Sequence, residues 1–184
     1  IGGYFKDNCG WTLDQSVANL ILYMKTFHAV HPETKFGIIV NFPNWPYKGT
    51  VSYAGKKEPE VIEYDRVLDE IVEQLNASGE KIYYVHADNP YDYAIEDVWT
   101  NKEVKEKKID WVKRILDLEK QVKKHDLKFG LIYNSMRGGN TSDQLFANDT
   151  KKYVKLYAER GGKVDDAIIE SWFSYPKNIT PKEK

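Results

Sequence analysis

The chain of 184 residues is long enough for one domain with a sizeable core and short for two. It is 41% hydrophobic and 30% charged, and 27 Lys and Arg stand against 28 Asp and Glu, a net charge of −1. That balance leaves no basic excess for nucleic acid or an anionic membrane, and no apolar run is long enough to span a bilayer, so neither partner is expected.

Cys9 is the one cysteine, which excludes an internal disulfide and a Cys-based zinc cluster. The start, Ile-Gly-Gly-Tyr, has no basic and apolar regions of a signal peptide. Asn-x-Ser/Thr sequons at Asn76, Asn140, Asn148 and Asn178 matter only in a secretory setting, so localisation stays open.

In chain order, residues 1–5 fit the tail of a strand. Thr12 and Gln15 form a capping box ahead of Val17, Leu20, Ile21, Met24 and Phe27, which recur at helical spacing. Residues 36–42 (FGIIVNF) predict a buried strand, and a long loop, 43–58, follows it. Val61, Tyr64, Val67, Leu68, Ile71, Val72 and Leu75 predict a helix stopped at Gly79. The next strand is 81–87 (KIYYVHA), followed by a second long loop, 88–108. Its Lys-dense end, 102–108, is interrupted by Glu103 and Glu106 and reads as a solvated face. Val112, Ile115, Leu116, Glu119 and Val122 predict a third helix ending near His125, ahead of strand 128–134 (KFGLIYN). Thr141 and Gln144 form another capping box before Leu145, Phe146, Tyr153, Val154 and Tyr157, and Gly161-Gly162 ends that helix. The last strand is 167–173 (AIIESWF).

Each strand is nearly continuously apolar, as in parallel sheets, and strand starts lie about 38 to 47 residues apart. The expected fold is therefore α/β, built of repeated βα units with parallel strands and right-handed crossovers. Loops entering the strands are short and loops leaving them are long, which favours a TIM-barrel-like arrangement. Eight units at this period need roughly 350 residues, so the chain would form a partial barrel of four to five units. On this reading residues 1–184 are a single α/β domain, the C-terminal half of a larger (β/α)8 barrel. The alternative is an open doubly wound sheet, which also binds ligands at strand C-termini.

The residues at those ends are Asn41 and Trp45, then His86, Asp88 and Asn89, then Asn134 and Arg137, then Glu170 and Trp172. Asp7 and Asn8 join them if residues 1–5 are a strand. Amides and carboxylates suit sugar hydroxyls, and indoles suit sugar C–H faces. No G-x-G-x-x-G follows a strand and no G-x-x-x-x-G-K-[ST] occurs, so no nucleotide cofactor is expected. His86 shares a strand face with Asp88, but the other histidines fall on helical or linker segments, so no metal is expected either. The Arg137-Gly-Gly-Asn140 segment has the composition of an anion-holding β–α turn.

The stretch "IIESWFSYP…ITP" resembles the closing strand of glycoside-hydrolase-type (β/α)8 barrels, and "YYVHADNPYDY" and "GLIYNSMRGG" are similar to the strands before it. The likeness covers about residues 36–181. It implies that Trp172 floors a sugar subsite. No Asn-Glu pair ends an early strand, and Asn134 stands where those barrels carry a glutamate, so the family's catalytic acids do not transfer by motif. Glycoside hydrolysis needs two carboxyls, and the residues themselves offer Glu170, after two isoleucines, as acid and Asp88 as base or nucleophile. Asn41, Trp45, His86, Asn89, Asn134, Arg137 and Trp172 would bind an oligo- or polysaccharide. The alternative is a non-catalytic carbohydrate-binding or scaffold barrel, and a homodimer of incomplete barrels is a further possibility.

Overall fold

The computed structural model describes residues 10–53, 62–96 and 108–177. The expected first strand, Asp7, Asn8, Cys9, Asn178 and most of the 102–108 run lie outside these residues.

Helix α1 (Leu13–His28) opens with the expected capping box. Gln15 N donates to Thr12 Oγ1 at 3.2 Å, and Thr12 N donates to Gln15 Oε1 at 2.9 Å. Strand β1 (Phe36–Asn41) runs into a 3-10 turn (Phe42–Asn44), and α2 (Tyr64–Ala77) follows. Then come β2 (Ile82–Asp88), the short α3 (Tyr91–Ala94), α4 (Trp111–Lys124) and β3 (Lys128–Tyr133). The chain closes with α5 (Met136–Thr141), α6 (Asp143–Glu159) and β4 (Asp166–Ile169).

Most boundaries shift by a residue or so from the sequence reading, and three differences have a clear physical cause. The Gly-rich segment after β3 is helical, because Ser135 Oγ accepts from Gly138 N at 2.9 Å and the Asp92 carboxylate accepts from Met136 N and Arg137 N. The glycines serve packing: a Cβ on Gly138 would lie 2.7 Å from Phe146 Cα, and one on Gly139 would lie 2.9 Å from Phe173. The cap of α6 falls on Ser142, whose hydroxyl accepts from Leu145 N, one residue later than expected. Strand β4 stops at Ile169 rather than Phe173. Its continuation instead docks on α5 and α6, Tyr175 N donating to Gly139 O and Lys177 N to Asp143 Oδ1.

The four strands are all parallel and lie side by side in chain order, β1-β2-β3-β4. Unreversed order with right-handed crossovers places every connecting helix on one face. The core shows this directly. Val40, Val85, Ala87, Phe129, Leu131 and Tyr133, all of one strand parity, are buried with residues of α1, α2, α4 and α6. A register slip between Phe36 and Gly37 lets Ile82 join them. This α/β order is that of consecutive barrel units, and equally of one flank of a doubly wound sheet.

The opposite parity, Gly37, Ile39 and Asn41, then Tyr84, His86 and Asp88, then Gly130 and Ile132, then Asp166 and Ile168, makes the second face. Its isoleucines, Ile39, Ile132 and Ile168, lie outside the helix-packed core; Ile39 is 64% exposed at the β1 edge, while Ile132 in the middle of the sheet is buried.

The long loops form a smaller core at the strand C-termini, where Val51, Tyr93, Ile109 and Trp111 pack with Met136. The buried Arg114 of α4 pins one of these loops. Its guanidinium lies between the rings of Phe42 and Trp111, 4.8 Å from each, and donates to Trp45 O at 2.7 Å. Burial drives its pKa down to about 10, against the opposing influence of Tyr47 and of the Glu63 carboxylate.

Candidate functional site

At the C-terminal end of the open face, Asn41 of β1 and Asp88 of β2 stand side by side in register. Ile132 and Ile168 continue that row across β3 and β4. Asn134 and Glu170 each lie one alternation further along, on the same face. The strands thus bring Asn41, Asp88, Asn134 and Glu170 to one end of one face, as the sequence pattern implies.

Asp88 is the centre of this group and is only 6% exposed. The Trp172 indole reaches back from beyond β4, and its Nε1–H donates to Asp88 Oδ2 at 3.0 Å. The Asn134 amide lies beside the carboxylate and favours its ionised form. Yet neither polar atom of that amide, nor Asp88 Oδ1, reaches hydrogen-bond geometry with any partner among the described residues. Buried polar groups are nearly always paired, so this cluster is out of the ordinary.

Burial pushes the Asp88 carboxyl above its ordinary value; the hydrogen-bonding influence of Asn134 and Trp172 opposes this and the nearby Glu170 charge adds to it. Glu170 is half-exposed and makes no hydrogen bond or ion pair among the described residues. The sequence places the desolvated acid at Glu170, after two isoleucines; the structure places it at Asp88. The physical reason is sheet position. Asp88 lies on β2, flanked by β1 and β3, whereas Glu170 follows β4, which has a neighbour on one side only among the described strands.

The other candidates divide. His86 sits one step below Asp88 on the open face, stacked on Tyr84 at 4.3 Å between ring centroids. Its Nε2 lies 3.2 Å from Asp166 Oδ2, so it bridges from β2 to β4 across Gly130. Asn89 is fully buried and turns to the helix layer, where its Nδ2 lies 3.4 Å from the Tyr153 hydroxyl. Trp45 also turns to that layer, packing on Tyr64 of α2 with ring centroids 5.4 Å apart. Arg137 is held in a fork by Asp149, Nε to Oδ2 and Nη2 to Oδ1 both at 2.9 Å. Burial alone would raise the Asp149 carboxyl, but Arg137 and the Ser135 hydroxyl outweigh it and hold the group below its ordinary value.

Residues not singled out from sequence complete the surroundings. Tyr93 stands near the Asp88 charge, its hydroxyl pushed up to about 12 chiefly by burial. Asp92 and Asp149 position α5 and Arg137 from other elements, and no local pattern announces either. Asp166 was legible in principle, since it shares the face of His86 across one glycine.

Among the described residues no cluster of three or more His, Cys, Asp or Glu side chains converges to hold a metal ion, and no helix is long and apolar enough to cross a membrane. No protein-family model, curated protein or solved structure matches this chain.

Proposed function

We propose that the protein is a carbohydrate-active enzyme, a glycoside hydrolase whose carboxyl pair is Asp88 and Glu170. The observation that carries this reading is the Asp88 carboxyl, desolvated and raised in pKa, in the field of the nearby Glu170 carboxylate and joined to an exposed indole. Glycosidic cleavage asks for one carboxyl that still holds a proton and a second that meets the positive charge. Asp88 gives its proton to the glycosidic oxygen as the bond from that oxygen to the anomeric carbon breaks. The leaving group departs as an alcohol. Glu170 then either bonds to the anomeric carbon or takes a proton from the water that attacks it. Asn41 offers its amide to ring hydroxyls, and Trp172, 60% exposed, offers a flat apolar surface to a sugar C–H face.

One observation favours a second reading, a non-catalytic carbohydrate-binding barrel. Asp88 Oδ1 and the Asn134 amide are closed off from water, while Trp172 is open to it. Aryl glycosides and polysaccharides, offered as a panel to the unsubstituted protein and to Asp88→Asn, Glu170→Gln and Trp172→Ala, separate the two. The enzyme reading expects Asp88→Asn and Glu170→Gln to lower kcat by about 100-fold or more while polysaccharide retardation in native gels persists. Retardation sensitive to Trp172→Ala without any hydrolysis gives the binder. Neither hydrolysis nor retardation on any polysaccharide ends both.

A further inference from the structure

A ring that serves only as a stacking platform needs a face, which Phe or Tyr supplies equally well. Trp172 does more, because its N–H is aimed at Asp88 Oδ2 at 3.0 Å although the residue is largely exposed. We propose that Trp172 is a positioning residue for Asp88, pinning Oδ2 as an acceptor so that the acidic proton is carried on Oδ1, the oxygen left without a partner among the described residues. The inference rests on the reading of Asp88 as an acid that keeps its proton, and it adds which oxygen holds that proton in the free protein and what fixes it there.

The two oxygens of a free carboxyl exchange roles by rotation. An N–H directed at one of them removes that equivalence, since a proton on Oδ2 would set two donors against each other. The neighbours leave this contact influential. Glu170 from the end of β4 opposes ionisation of Asp88, and Asn134 from the end of β3 favours it. Tyr93 of α3 and Tyr153 of α6 also face the charge, and burial raises both hydroxyls and keeps them neutral. His86, two residues back on the same face, is engaged with Asp166. Among the described residues, Trp172 and Asn134 are therefore the groups that hold the carboxylate form.

Trp172→Phe keeps a ring and removes the N–H. In a side-chain carboxyl titration followed by 13C NMR, with Asp88→Asn to assign the resonance, the Asp88 midpoint rises by about 0.5 to 1 pH unit in Trp172→Phe. The unsubstituted protein supplies a second readout, because the Trp172 indole N–H resonance moves with pH through the same midpoint as Asp88. An Asp88 midpoint unchanged or lowered in Trp172→Phe, or an indole resonance that ignores the Asp88 titration, overturns the proposal. The glycoside panel fails independently: a raised midpoint without hydrolysis keeps the positioning role and removes the glycosidase.

Discussion

The two faces of the sheet are built from the same strands and differ by one residue of register. On the helix-covered face Leu131, Phe129, Val85 and Ala87 are buried to the last atom or nearly so. On the open face the residues between them are Tyr84, His86, Gly130 and Asp166, ending in Asp88, Asn134 and Glu170. Alternation lets one strand hold the fold with one set of side chains and gather ionisable groups with the other. The difference is measurable as stability. Leu131→Ala should cost about 2 to 5 kcal/mol, whereas Ile39→Ala, on the open face, should cost about 0.5 kcal/mol or less. Urea denaturation of both variants tests the contrast. An Ile39→Ala penalty approaching that of Leu131→Ala would mean that the open face is covered in solution.

A smaller effect tests how the open face is assembled. A Cβ on Gly130 would lie 2.4 Å from the His86 ring and 2.9 Å from Ile168 Cδ1. Glycine there lets His86 lie flat across β3 and reach Asp166. Gly130→Ala should therefore destabilise by about 1 to 3 kcal/mol, through overpacking and displacement of His86. The double variant Gly130→Ala/His86→Ala should recover part of that loss in the same denaturation measurement. No recovery would show that the strain lies elsewhere in β3.

What the sequence made legible follows the range of each interaction. The alternation of β and α elements, the Thr12–Gln15 box and the end of α2 at Gly79 depend on neighbours a few residues apart, and all three were readable. Asn41, Asp88, Asn134 and Glu170 reach one end of one face because strand parity and parallel pairing follow from the apolar pattern. The partners of these groups were not readable. Trp172 to Asp88 spans 84 residues, and Asp92 to Arg137 spans 45. The same limit applies to burial, since two isoleucines before Glu170 describe its strand and say nothing of whether the sheet continues beside it.

The smallest effect lies far from the site, at the C-terminus of α1. His28 Nδ1 is 2.7 Å from Glu80 Oε2, and its Nε2 is 2.9 Å from Thr34 O. Both partners are acceptors, so both ring nitrogens donate only when the imidazole is protonated. The Thr34 carbonyl is the main cause of a raised pKa, partial burial works against it, and Glu80 adds to the rise. Because the folded value is raised, the clamp contributes in full below the unfolded value of about 6.5 and fades as pH climbs through the higher folded value. His28→Gln should therefore lower the urea midpoint most near pH 5.5 and change it little by about pH 9. A deficit in His28→Gln that is constant from pH 5.5 to 9 would mean that the ring acts through packing against Phe36, 5.1 Å away between centroids, and not through its charge.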